Sequence, residues 1–151
     1  MLSPATSHRR RGTTTIEFAI SAPIVFFFIF ATIIGGMGVF RYQQVAALAR
    51  EGARWASVHG GQYEDETGQP AATAADIYNT AILPLAVGLD PQQLSYEVSW
   101  DKNNMPLSIT TNVEKPIGNT VTVKVTYQWT PELFPIGPFT LTSTSSTQML
   151  Y

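Results

Sequence analysis

The chain has 151 residues, of which 44% are hydrophobic and 13% charged, and a formal charge of −2. That length suits one domain plus an appendage, not two enzyme domains. The charged share is about half the roughly 25% of ordinary globular proteins, which excludes a disordered polyelectrolyte; the charge balance leaves no basic footprint for nucleic acid, and the lack of cysteine excludes thiol catalysis, cysteine-based zinc sites and disulfides.

The first element is a short basic run, His8, Arg9, Arg10 and Arg11, followed by Gly12, three threonines, Ile16 and Glu17. From Phe18 to Phe40 no residue is charged, and Val25 to Phe30 form an almost unbroken aromatic and β-branched centre. As a helix rising about 1.5 Å per residue this stretch is roughly 34 Å long, enough to cross a hydrocarbon core of about 30 Å. A soluble core helix rarely carries apolar residues on every face for so many turns. A secretory signal has a shorter apolar region of about 7–15 residues and a small-x-small site, which Gly36-Met37-Gly38 matches only weakly. The sequence therefore predicts a membrane-spanning helix.

Its orientation is read from flanking charge. Arg9, Arg10 and Arg11 precede the span, and Arg41, Arg50 and Arg54 follow it, so a simple count ties. Three points favour a cytoplasmic N-terminus. The leading arginines are contiguous, Glu51 lies among the trailing ones, and long downstream domains translocate largely regardless of charge. Setting aside Arg9, Arg10, Arg11 and Arg41 from the nine bases and Glu17 from the eleven acids leaves five bases and ten acids beyond residue 41. That excess of acid suits an exported soluble domain.

Glu17 stands one residue before the apolar run. A carboxylate that enters hydrocarbon unpaired is expensive. Two readings stay open. It could sit at headgroup level in the first turn of a helix, complementing the dipole, with Thr13, Thr14 or Thr15 as cap. Alternatively, it has a partner within an assembly.

Beyond the span, Tyr42 to Ser57 lacks proline and is rich in helix formers. Val45, Leu48, Gly52 and Trp55 fall on one stripe, and Gln43, Ala47, Arg50 and Arg54 on another. The apolar stripe needs a cover, and packing on the chain's own C-terminal domain is the simplest one. Gly60-Gly61 supplies a stop. The predicted helix runs from about residue 13 to 58, with Pro23 removing the bond to the Ala19 carbonyl. Inside the span, Ala31 and Gly35, with Gly36 and Gly38, make a small-residue face. Such a face lets a second helix approach, although glycine is common in membrane helices anyway.

The order of these features carries a resemblance. A basic leader ending in Gly12, then four residues, then Glu17-Phe18, all before a long apolar helix, resembles the processing site of type IV pilins and pseudopilins. That resemblance implies cleavage by a prepilin peptidase between Gly12 and Thr13, which makes Glu17 the fifth mature residue. It also implies that Glu17 pairs with the new amine of a neighbouring subunit. Glu17-Phe18-Ala19, the early Pro23 and the juxtamembrane Glu51-Gly52-Ala53-Arg54 look like the TadE-like pseudopilins of the tight-adherence (Tad) pilus, most closely over residues 9–58. The polar Thr13 departs from the aromatic or methionine start of many pilins. The implied parts are a leader at 1–12, a transmembrane and stalk helix at 13–58 and an exported domain at 59–151.

The implied partners are the peptidase, other pilins or pseudopilins, the Tad membrane platform and the lipid bilayer, with no nucleic acid. The implied place is the cytoplasmic membrane, single-pass, with the C-terminal domain outside.

The remaining elements follow in chain order. Gln62 to Ala71, with Glu64, Asp65, Glu66, Gly68 and Pro70, reads as a solvated loop; its acids lack the alternating ligand pattern of a calcium loop. Thr73 to Asp76 is a capping-box variant that opens a second helix through Ile77, Ala81 and Leu85, ended by Pro84. Leu94, Tyr96, Val98 and Trp100 alternate as a strand, Asp101 to Pro106 as a turn, and Leu107 to Val113 as a short strand before the Pro116 to Asn119 turn. The clearest strand alternates Val121, Val123, Val125, Tyr127 and Trp129 with polar residues. A connection from Pro131 to Pro138 bears Leu133, Phe134 and Ile136, and a Thr/Ser-rich strand starts at Phe139. The predicted fold class is α+β: a long N-terminal membrane-spanning helix continuing as a stalk, a short helix, and an antiparallel sheet of three or four strands, the plan of a pilin.

No phosphate loop, nucleophile elbow or metal-binding histidine pair is present, so no catalytic, metal or cofactor site is predicted. His59 has no partner that sequence suggests. The functional expectation is a structural minor pilin or pseudopilin supporting Tad-type pilus assembly for adherence. The alternative is a membrane-tethered extracytoplasmic binding or sensing domain that never enters a filament.

Overall fold

The structure, a computed structural model, describes residues 10–102, 104, 119–131 and 137–150, with side chains from residue 14 onward. Helix α1 spans Arg10–Ser57, a little longer at its N-terminal end than expected. Two compact units are distinguished, residues 1–37 and residues 38–151.

In the first unit the side chains from residue 14 are almost all exposed within the chain, including Phe18, Phe26, Phe27 and Phe28. The backbone is helical through Pro23. Thr32 returns its hydroxyl proton to the Phe28 carbonyl at 2.8 Å, so its polar group is satisfied without water.

The second unit holds the core. From Gly38 onward α1 buries one stripe: Val45, Leu48, Ala49, Gly52, Ala53 and Ala56. Most of these are small, which brings the partner layer close to the helix axis. That layer is a three-stranded antiparallel sheet in the order β1-β2-β3, made of Leu94–Trp100, Thr120–Trp129 and Phe139–Gln148. Central β2 follows the period-two expectation. Val121, Val123 and Val125 are fully buried, each contributing roughly 1.5–3 kcal/mol of burial. Tyr127 and Trp129 complete the same face.

The other face of the sheet is a polar ladder. Thr122 meets Ser146 at 2.8 Å, Thr126 meets Thr142 at 3.1 Å, and the Lys124 ammonium donates to Glu97 at 3.2 Å. Register sets these pairs: Val123 lies between Val98 on β1 and Ser145 on β3. The expected cover of the apolar stalk stripe by the chain's own sheet is therefore what the structure has. At the far end, Leu150 N–H donates to the Ser57 carbonyl at 2.9 Å, tying the last strand to the end of α1.

The segment expected as an acidic loop is instead helical: α2 spans Gly61–Thr67. Two local features explain it. Gly60 is extended and serves as N-cap, and Gly68 closes the helix in the left-handed region at φ +70, donating to the Glu64 carbonyl at 2.9 Å. Glu64 sits in the first turn, where the dipole favours it. The glycine pair therefore parts two helices.

The second predicted helix is present but changes pitch. The short helix α3, Ala74–Ile77, opens with the expected capping box of Thr73 and Asp76. It continues as a π-helical turn at Tyr78–Ile82 and a 3-10 turn at Leu83–Leu85. The wide turn puts both Ala81 and Ile82 inward, and the tight turn at Pro84 then leaves Leu85 exposed. The expected four-residue repeat breaks there.

The Thr73 hydroxyl and then its N–H donate to the Asp76 carboxylate, at 2.6 and 2.9 Å, and hold its pKa below the ordinary 3.8. A depressed carboxylate stabilises the fold above pH 3.8 and loses that contribution as pH falls through its lower folded value. In Thr73→Ala the Asp76 titration, followed by carboxyl NMR, is expected to move up towards 3.8. An unmoved titration would mean the box does not form.

The predicted strand Leu107 to Val113, most of the Pro116 to Asn119 turn, and Leu133, Phe134 and Ile136 lie outside the described residues.

Candidate functional site

The residues singled out for assembly lie along α1. Gly12 and Thr13 fall in its first turns, with helical backbone. An extended backbone at the Gly12–Thr13 bond therefore needs the first turn to fray. The first N–H groups of a helix have no intrahelical partner, and glycine costs about 1 kcal/mol relative to alanine, so this is the least costly place for it.

Glu17 is exposed and lies one turn beyond Thr13, on the same face. At about 100° per residue, Gly35 stands five whole turns further on. Glu17, Ala31 and Gly35 therefore share one helix stripe, with the acid at one end and the small residues at the other. Ala31 is exposed, and a Cβ placed on Gly35 or Gly36 would meet nothing within 4 Å. Pro23 is exposed within the same helix.

Gly38 does not belong with them. A Cβ there would come within 2.9 Å of the Trp129 ring, so this glycine serves the chain's own packing. Gly52 is enclosed as well. Its Cβ would meet Ile82 Cγ1 and Val123 Cγ1, both at 3.2 Å, so the helix, the π-helical turn and β2 converge on it.

Close to Gly52 in sequence are two charges, the half-buried Glu51 and the exposed Arg54. Arg54 makes a two-pronged ion pair with Glu51 and holds the Glu51 carboxyl below its ordinary range. Such a pair at the surface contributes little stability. His59 has acquired company that the sequence did not suggest. It stacks on Trp55 with ring centroids 4.0 Å apart, and the ring of Tyr63 on α2 lies tilted to it at 5.0 Å. Its Nδ1 is 2.8 Å from the Trp55 carbonyl. Glu64, Asp65 and Glu66 are exposed on α2; among the described residues no group of three acids or histidines is placed to hold a metal ion.

Sequence reasoning missed a clamp at the base of the second unit. Arg41 donates to the Gly88 carbonyl at 2.7 Å and to Gln44 Oε1 at 3.1 Å, while Gln44 Nε2 donates to the Val87 carbonyl at 3.3 Å. The bonds to Gly88 and Val87 join residues more than forty apart, so no local signal announces them.

Comparison with known proteins agrees with the residue pattern. No curated protein and no solved structure gives a match. A family model described as TadE-like protein matches residues 12–54. The matched stretch begins on Gly12, takes in Glu17 and the whole apolar run, and ends on Arg54 of the Glu-Gly-Ala-Arg box. Through that stretch the chain is similar to the TadE-like protein family.

Proposed function

We propose that this chain is a structural minor pilin or pseudopilin, made as a precursor, that supports initiation or assembly of a Tad-type pilus used for surface adherence. A prepilin peptidase removes residues 1–12, leaving Thr13 as the new N-terminus. Residues 13–58 then serve as membrane and stalk helix, and 59–151 form the exported domain, with the N-terminal end cytoplasmic before cleavage. The carrying observation is the family match that starts at Gly12, on a helix whose Glu17 and Gly35 share one stripe.

The mechanism follows from that stripe. A freed α-amine at Thr13 is largely protonated at neutral pH. It lies one turn from Glu17, so each helix presents a positive and a negative group on one face. In a bundle the carboxylate of one subunit meets the amine of the next. Separating such a pair in lipid is costly, which selects one axial register. Further along, Ala31 and Gly35 let backbones approach closely, and dispersion and weak C–H···O contacts hold the helices there. The partners are other pilins or pseudopilins, the Tad membrane platform and the lipid around them. Activity in this reading is assembly and involves no catalytic step.

Mass spectrometry of the protein purified from cell membranes tests the reading. The expected mature N-terminus is Thr13. A fully matured protein that retains Met1 or Leu2 favours a membrane-tethered binding or sensing domain instead.

A further inference from the structure

The second unit has a defined lower end. Val123 lies against Gly52 and Trp129 against Gly38. From Val123 to Trp129 a strand covers about 20 Å, and from Gly38 to Gly52 a helix covers about 21 Å. The two lengths agree, so β2 runs alongside α1 in the opposite direction. Its last residue ends beside Gly38. The Arg41 and Gln44 clamp brings Val87 and Gly88 to the same level from the other flank. Asp90 N–H, donating to the Tyr127 hydroxyl at 3.4 Å, ties that flank to the same end of β2.

Two outward side chains mark this level. Val87 is 76% exposed, and Phe139, paired with Trp129 across the sheet, is 46% exposed. Val39, Phe40 and Tyr42 are exposed on α1 between them. The segment from Ile77 to Leu89 carries no charge, and the first carboxylate after it, Asp90, is engaged by the Gln92 N–H at 2.9 Å. The uncharged run of α1 ends at this same level, at Phe40, with Arg41 next. A helix that crosses a bilayer leaves the hydrocarbon where its uncharged run ends.

We infer that this end of the sheet domain is seated in the lipid interface, with Val87 and Phe139 inserted at the boundary between headgroups and acyl chains. The occupant of the exposed apolar collar is therefore lipid. Tyr42 beside it is the residue type that favours the interface, and Arg41, held by the Gly88 carbonyl, has its charge at headgroup level. Seating at two points, one on each flank of α1, restrains the sheet from rolling about the helix. The inference rests on α1 crossing a membrane and not on leader cleavage or entry into a pilus.

The absence of cysteine makes a direct test available. Full-length Val87→Cys and Phe139→Cys variants carry a nitroxide label and are reconstituted at low protein density in vesicles of phosphatidylethanolamine and phosphatidylglycerol. Collision with oxygen and with a water-soluble nickel chelate gives each label's depth. Phe27→Cys in the apolar run and Gln69→Cys in an exposed turn are the references. Labels at 87 and 139 are expected to favour oxygen, as at 27, and to lie within about 5–10 Å of the headgroup boundary. Nickel access at 87 and 139 equal to that at 69, with 27 still in lipid, overturns the seat alone. Exclusion of both reagents at 87 and 139 indicates a protein cover and equally overturns it. Nickel access at 27 removes the membrane span itself, and the seat with it. The two positions lie on different elements, so a folding failure in one variant leaves the other to decide.

Discussion

Glu17→Gln is expected to leave the chain in the membrane and to take it out of the assembled structure. Glutamine keeps the shape of the side chain and removes its charge. The apolar run from Phe18 to Phe40 is untouched, so insertion proceeds as before. What is lost, in the proposed pairing, is the carboxylate that faces a neighbour's amine. Breaking a buried ion pair by removing one partner costs about 3–5 kcal/mol, because the other charge stays uncompensated. Each 1.4 kcal/mol is a factor of ten, so incorporation is expected to fall by about a hundredfold or more. The measurement is the amount of the variant in sheared pili and in crosslinked complexes, relative to that in total membrane. Parental incorporation of Glu17→Gln would sink the pairing role and leave Glu17 as a headgroup-level carboxylate near a helix dipole.

Gly52→Leu is expected to have the largest effect on the fold. A Cβ alone at this site is crowded, at 3.2 Å from both Ile82 and Val123. In Gly52→Ala the crowding opposes a gain of roughly 1 kcal/mol in helix propensity, and the net change is small. Leucine adds three further carbons in the same direction. They must enter a space already filled by the fully buried Ile82 and Val123. Overpacking of a filled core costs about 1–3 kcal/mol and more when neighbours cannot move. Here the neighbours belong to a π-helical turn and to the central strand, so about 3 kcal/mol or more is expected. Urea unfolding of the full chain in detergent, followed by tryptophan emission, measures it. An unchanged midpoint for Gly52→Leu would show that the three elements do not converge on this residue in solution.

Much of the architecture was legible because it repeats with a simple period. The uncharged run, the alternation of Val121, Val123, Val125, Tyr127 and Trp129, and the stripe of Val45, Leu48 and Gly52 each announce one buried or apolar face. The Thr73 to Asp76 box is legible for another reason, since its hydrogen bonds stay within four residues. Helix α2 escaped because glycines and acids normally signal loops. Its left-handed cap at Gly68 and the Trp55, His59 and Tyr63 stack are visible only in three dimensions. Leu85 misled because the four-residue spacing assumes a constant pitch, and the π-helical turn changes it.

At the candidate site the same contrast holds. The alignment of Glu17 with Gly35 is arithmetic on a helix and can be worked out from position alone. The separate duty of Gly38 could not be, because its partner Trp129 is 91 residues away in sequence.

The order in which a ribosome delivers the chain gives the stalk a further significance. Val45, Leu48 and Ala49 are made long before Val121, Val123 and Val125, the valines on the strand that covers them. During that interval the hydrophobic side of the stalk has no lid of its own, and its contacts are the slow, long-separation kind. A newly made molecule therefore passes through a stage in which it can stick to a sibling, and closing β2 over the stalk ends that vulnerable stage.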